Sequence, residues 1–89
     1  MTAEAHECAT WMVLRLRVTT DGDPGALPRL LGYFHNLNVT PRSVSAEFAT
    51  TGLMHLTVDI CGLPEERVSL IAGKIGAAPS VLNSHWHRL

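Results

Sequence analysis

The sequence predicts an α+β fold in which a four-stranded antiparallel sheet carries two helices on one face. Apolar residues recur with a period of two in four segments and with a helical period in two others. These segments follow the order strand, helix, strand, strand, helix, strand. The chain has 89 residues, 46% of them hydrophobic, which suits one domain with one core. This order is typical of the ferredoxin-like fold, whose right-handed crossovers place both helices on one side of the sheet.

The first predicted strand spans residues 11–19. Leu14 and Leu16 alternate with Arg15 and Arg17, as in a strand with one buried face and one face in water. The open face of the sheet is therefore expected to be polar. Its positions on the first and third strands are Arg15, Arg17, His55, Thr57 and Asp59. Because RNA-binding sheets of this fold carry stacking aromatic side chains there, nucleic-acid binding is not expected.

The first helix is predicted to follow an acidic turn. Asp23 is the expected N-cap, and Pro24 suits the first helical position. Asn38 is expected to end the helix, because Asn tolerates the left-handed conformation that often follows a helix. One apolar stripe along this helix comprises Leu27, Leu30, Leu31, Phe34 and Leu37.

Two further strands are predicted at residues 39–49 and 53–61, joined by a turn at residues 50–52. Pro41 has no N–H to donate to a ladder, so the second strand is expected at an edge of the sheet or after this residue. One face of the second strand carries Val44, Ala46 and Phe48. The inward face of the third strand carries Met54, Leu56, Val58 and Ile60.

The second helix is predicted to run from residue 64 to about residue 77, and a last strand spans residues 81–87. Glu65 and Glu66 suit the positive end of the helix dipole. The apolar stripe of this helix comprises Val68, Ile71, Ala72 and Ile75.

Composition excludes several classes of protein. The formal net charge is −1 with scattered basic residues, which disfavours polyanion binding, and no apolar run approaches the roughly 18 residues of a membrane span. Residues 1–10 lack periodicity and are predicted to be a flexible arm, whereas residues 11–89 form one domain. The arm lacks the basic start of a signal peptide, so a cytoplasmic location is expected. Cys8 and Cys61 could form one disulfide, but two reduced thiols are the expected state.

The loop and helix at residues 23–34 resemble the ACT domain, a family of small regulatory modules, and the resemblance covers roughly residues 12–88. The family has a ligand-sensing loop that ends in Pro-Gly, and the helix after it ends in a Gly-any-Phe stretch. Here the loop ends in Pro24 and Gly25, and the stretch runs from Gly32 to Phe34. The resemblance is closest to the regulatory small subunit of acetolactate synthase.

The resemblance implies a non-catalytic domain that needs no cofactor. It implies a homodimer formed by sheet-edge pairing, a small amino acid bound between the copies, and a larger catalytic subunit of branched-chain amino acid biosynthesis as partner. In the family the ligand lies between the first loop of one copy and the second strand of the other. The corresponding residues here are Asp21, Gly22, Asp23, Pro24, Gly25, Ala26, Leu27, Thr40 and Arg42.

This chain departs from the family pattern at two of these positions. Gly22 stands where the family has Asn or Asp, and Thr40 stands where the branched-chain regulators have Asn. Gly25 would let the backbone approach a ligand, and the free N–H groups of the following helix would bind a carboxylate.

Two alternatives remain open from the sequence. The domain could be a stand-alone oligomerisation module without a ligand. It could instead bind a metal through His85 and His87, which point to the same side of a strand, with His55, Cys61 or His35 completing the site. An enzyme is not expected, because no spacing pairs a nucleophile with a base.

Overall fold

A computed structural model describes residues 13–89 and confirms the predicted element order and fold. The sheet order is β2-β3-β1-β4, and every neighbouring pair is antiparallel. The predicted flexible arm at residues 1–10 lies outside the described residues. The elements are β1 (Leu14–Thr20), α1 (Ala26–Asn36), β2 (Ser43–Phe48), β3 (Met54–Ile60), α2 (Glu65–Gly76) and β4 (Val81–Arg88).

The core lies between the two helices and one face of the sheet. Alternation along β1 and β3 sends apolar side chains to this face, and both helices bury one stripe against it. Burying each large side chain contributes about 1.5–3 kcal/mol. The central cluster comprises Leu16, Val18, Leu30, Phe34, Leu56, Val58, Ile60, Ile71, Ala72 and Ile75.

The start of α1 differs from the prediction. The helix begins at Ala26 with Gly25 as its N-cap, so neither predicted role, Asp23 as N-cap nor Pro24 as first helical residue, is correct. The Asp23 carboxylate still accepts a backbone N–H, that of Gly25 at 3.1 Å, and the Asp23 carbonyl accepts the Ala26 N–H at 3.0 Å, so Asp23 closes a turn directly before the helix. At the other end, Asn38 has φ 59°, as predicted for the residue that ends the helix.

One member of the predicted stripe on α1 lies outside the core. Leu31 is 39% exposed, whereas Leu30 and Phe34 are buried. A helix has only one face towards the sheet, and these two residues define it. Leu31 therefore lies at the margin of that face.

The edge strand β2 begins at Ser43, after Pro41, so the predicted start at residue 39 was too early. A strand at the edge of the sheet is what the proline predicted. All six residues of β2 are exposed, including the apolar Val44 and Phe48. The turn that leads into β3 uses Gly52 at φ 87°, a conformation that favours glycine.

The opposite, open face of the sheet is polar at every position in the four strands. Arg15 on β1 donates to both carboxylate oxygens of Asp59 on β3, at 2.8 and 3.0 Å. This guanidinium is the main reason that the pKa of Asp59 lies below its ordinary value. The face comprises Ser43, Ser45, Glu47, His55, Thr57, Asp59, Arg15, Arg17, Thr19, Asn83, His85 and His87.

Cys61, directly after β3, is disulfide-bonded, so the prediction of a reduced thiol is wrong for this residue. Cys8 lies outside the described residues. Within residues 13–89, no helix has the length and apolar character needed to cross a membrane.

Candidate functional site

A cavity of about 170 Å³ lies between the β1–α1 loop and the β2–β3 hairpin. Most of the loop residues predicted to bind a ligand border it, whereas Gly25 and Ala26 do not. Ala26 is instead buried under the helix, at 2% exposure. The cavity is bordered by Asp21, Gly22, Asp23, Pro24, Leu27, Phe48 and Met54.

The hairpin wall of this cavity was not predicted from the sequence. Phe48 ends β2 and Met54 begins β3, and the two lie opposite each other in the ladder. Their side chains share the helix side of the sheet, so they meet the loop that leaves β1. The sequence signal that could have indicated this wall was an aromatic residue, Phe48, just before the predicted turn at residues 50–52.

Gly22 allows the loop to approach the hairpin closely. A Cβ atom at this position would lie 2.8 Å from the carbonyl oxygen of Gly52 and 3.3 Å from the ring of Phe48. A side chain therefore does not fit without movement of the backbone. This contact explains why glycine stands where the resemblance predicts Asn or Asp.

A polar network holds the loop in place. The Asp21 carboxylate accepts the Asp23 N–H at 3.0 Å. The Asp23 carboxylate accepts from Arg29 at 2.5 Å and from the Ser80 hydroxyl at 3.3 Å, and Arg29 also donates to Ser80 at 3.0 Å. The Arg29 guanidinium, followed by the Gly25 N–H, lowers the pKa of Asp23 below its ordinary value. The loop is thereby tied to the turn between α2 and β4.

Two of the N–H groups at the start of α1 that were predicted to bind a carboxylate already have partners within the loop. The Gly25 N–H donates to the Asp23 carboxylate, and the Ala26 N–H donates to the Asp23 carbonyl. Pro24 and Pro28 have no N–H. The cavity instead combines carboxylates with apolar walls, which suits a cationic group joined to an apolar one.

Thr40 and Arg42 do not border the cavity of their own copy. Both are exposed and lie just before β2, at the edge of the sheet. The backbone N–H of Arg42 donates to the Asp59 carbonyl at 2.7 Å, which fixes the segment beside β3. Their predicted role requires a second copy of the chain.

His85 and His87 point to the open face, as predicted for alternate residues of a strand. Their neighbours on β1 are Arg17 and Arg15, respectively. Two guanidinium groups beside the imidazoles disfavour a metal cation. Among residues 13–89, no three His, Cys, Asp or Glu side chains are grouped so that they could hold a metal ion.

A larger, more open depression of about 700 Å³ lies along α2 beside Trp86. Its acidic Glu65 pairs with Arg88, which lowers the pKa of the Glu65 carboxyl. The groove has few polar groups that converge on one point, which a small-molecule site needs. The smaller cavity at the loop has the better chemistry for a ligand.

Comparisons with known proteins agree with this architecture. A family model described as an ACT-like domain matches residues 6–89. No curated protein matches the chain. The ACT domain from GTP pyrophosphokinase of Chlorobium tepidum is similar in structure, with a TM-score of 0.74 and 12% identity over 85% of this chain and 97% of that chain.

Two other solved structures are also similar. The C-terminal domain of the MgtC protein from Mycobacterium tuberculosis has a TM-score of 0.69 and 14% identity, covering 90% of this chain and 89% of that chain. A homoserine dehydrogenase from Thiobacillus denitrificans has a TM-score of 0.71 and 16% identity, over 88% of this chain but 17% of its own. At these identities the likeness is one of fold.

Proposed function

The chain belongs to the ACT-like domain family, and from that premise we propose a non-catalytic regulatory domain that binds a small amino acid between two copies. The cavity carries this proposal. Loop residues that the family resemblance selects border it, together with Phe48 at the end of the exposed edge strand. A ligand there would touch both the sensing loop and the edge at which copies pair.

The β2 edge supports pairing with a second copy. Val44 and Phe48 are 42% and 67% exposed, although they lie on the apolar side of the sheet. An open strand edge with exposed apolar side chains favours pairing with another strand. A twofold axis at the middle of β2 pairs the strand antiparallel with itself and extends the sheet across both copies.

Such pairing would complete the ligand site. If the twofold axis passes through Ala46, Val44 lies opposite the partner's Phe48, because residues opposite each other in a ladder share one face of the sheet. Thr40 and Arg42 of each copy then lie at the hairpin end of the partner's cavity. The Arg42 guanidinium supplies the cation that the cavity of one copy lacks.

The chemistry then fits a small apolar amino acid. Its ammonium group would bind the Asp21 carboxylate. A carboxylate accepts several hydrogen bonds, and this one accepts the Asp23 N–H, which leaves acceptor positions for the ligand. Its side chain would contact Leu27, Phe48 and Met54. A branched-chain amino acid suits these walls, and the regulated partner would be a larger catalytic subunit such as that of acetolactate synthase.

Titration calorimetry of the purified protein against the twenty amino acids tests ligand binding. We expect heat with a small apolar amino acid, and a loss of at least about tenfold in affinity for Asp21→Asn and Arg42→Gln. Glu66→Gln, an exposed acid on α2, is the matched control and keeps the affinity. Absence of heat with every amino acid would remove the sensor role.

Sedimentation equilibrium tests pairing separately. Val44→Lys places a charge on the apolar side of β2 and is expected to give monomers. Ser45→Lys places the same charge on the open face of the same strand and is expected to leave the dimer intact. A wild-type protein that stays monomeric at tens of micromolar would overturn the pairing.

A further inference from the structure

Two short motifs, one at each end of the chain, face each other on the open side of the sheet. Antiparallel pairing of β1 and β4 puts Arg15 opposite His87 and Arg17 opposite His85. We refer to these four residues as the Arg–His quartet. The regulatory site described above uses none of them.

The two arginines of the quartet have different surroundings. The Arg15 guanidinium is engaged by both oxygens of Asp59, which also accepts from the Ser43 hydroxyl at 3.3 Å. Arg17, by contrast, forms no ion pair within residues 13–89 and is exposed. Asp59 is therefore already neutralised, and Arg17 is left as an unbalanced charge at the middle of the face.

The other acid of the open face is remote from Arg17. Glu47 lies on β2, two strands away from β1, which corresponds to about 10 Å across the sheet. Its neighbour on β3 is His55, whose Nδ1 lies 3.4 Å from the Thr19 hydroxyl. The open-face positions of β1 and β4 carry no carboxylate. This half of the face therefore has no negatively charged side chain of its own.

The chemistry of the quartet selects an anion. Neighbouring strands lie about 4.8 Å apart, so the side chains of Arg17 and His85 can reach one bound group. A guanidinium offers a fork of N–H donors, and an imidazole offers one or two more. The guanidinium charge of Arg17 attracts an anion placed between these side chains.

We propose that the Arg–His quartet binds the phosphate group of a phosphate-bearing ligand, with Arg17 and His85 as the main contacts. Phosphate carries more charge than a carboxylate and has acceptor oxygens for several donors at once. This site lies on the face opposite the helices, apart from the cavity at the β1–α1 loop. It is independent of the amino-acid site and would let the domain respond to a second ligand.

Inorganic phosphate is the probe for this site. The protein is titrated at pH 6.5 and constant ionic strength, and the backbone amides and the imidazole C–H resonances are followed by NMR. We expect saturable shifts at Arg17, His85 and His87, with smaller shifts at His55 on β3. Acetate at the same concentrations is the comparison ligand with a carboxylate group. It is expected to give smaller shifts that do not reach saturation.

Matched variants separate a site from general charge effects. Arg17→Gln and His85→Gln are expected to weaken phosphate binding by at least about tenfold and about threefold, respectively. Lys74→Gln removes one exposed positive charge from α2 and is expected to change the affinity by less than twofold. Equal weakening by Lys74→Gln, equal binding of acetate, or no saturable shifts on β1 and β4 would each overturn the proposal. Loss of amino-acid binding at the loop leaves these readouts unaffected.

Discussion

The two edge strands of the sheet occupy equivalent places in the fold but are covered very differently. Every residue of β2 is exposed, including Val44 and Phe48 on its apolar side. On β4, Trp86 packs against the core beneath α2, and the Ser84 hydroxyl donates to the Ala72 carbonyl at 3.0 Å. On the apolar side of the sheet, α2 therefore covers Ser84 and Trp86 of β4, whereas Val44 and Phe48 of β2 stay exposed in one copy.

The largest effect is expected from Trp86→Ala, on the covered edge. The substitution removes a partly buried indole and leaves space between α2 and the sheet, so we expect a loss of about 2–3 kcal/mol in the free energy of unfolding. Urea denaturation at low protein concentration measures this loss. A loss below about 1 kcal/mol would contradict the view that Trp86 packs against the core of a single copy.

Gly22→Ala tests how tightly the β2–β3 hairpin is held against the loop. The new Cβ would lie 2.8 Å from the Gly52 carbonyl, so the backbone must move, and we expect a loss of about 1–2 kcal/mol. Gly32→Ala in α1 is the matched control, because its new methyl group meets nothing within 4 Å. That variant is expected to gain roughly 0.5–1 kcal/mol from helix propensity. Equal effects of the two substitutions would show that the loop and hairpin are not in close contact.

Asp59 fastens the open β2 edge to the central strands, and its contribution depends on pH. Its pKa is lowered by Arg15, so the folded protein holds this carboxylate charged more readily than the unfolded chain does. The stabilisation is present above the unfolded carboxyl pKa of about 3.9 and is lost as the pH falls through the lower, folded pKa. Asp59→Asn should therefore be less stable than wild type at pH 6, with a smaller difference at pH 3. Denaturant midpoints at both pH values check this, and a difference that grows towards pH 3 would refute it.

The smallest effect on the isolated copy is expected from Phe48→Ala, on the open edge. The ring is 67% exposed, so the monomer should lose no more than about 0.5 kcal/mol. The thermal midpoint of the wild type should rise with protein concentration if copies pair, and this rise should disappear in the variant. A large loss at low concentration would show that Phe48 belongs to the core of one copy.

Features with local causes were predictable from the sequence. The stripe of α2 is buried as predicted, and Asn38 ends α1 because Asn tolerates a positive φ. The polarity of the open face also follows from alternation in single strands. These predictions need only the neighbours of each residue in the chain.

The site was only half predictable, because half of it is brought together by the fold. The loop from Asp21 to Leu27 carries its own turn signals, but the wall formed by Phe48 and Met54 comes from a hairpin more distant in the chain. The pairing of Arg17 with His85 depends on the register of β1 and β4, which shifts at Thr19 and Thr20. The hydrophobic periodicity of a sequence does not predict the register between two strands. These contacts could therefore be identified only in the structure.

The strand order has a consequence for how the chain reaches this structure. Among residues 13–89, β1 precedes the other strands in the chain, yet its two neighbours are β3 and β4, and Leu14 lies opposite Arg88. Contacts so distant in sequence impose a high loop-closure entropy and slow folding. On a ribosome, α1 and the β2–β3 hairpin can form early, while one side of β1 stays unpaired until the last strand emerges. The central strand β1 is therefore the last strand of the sheet to gain both of its neighbours.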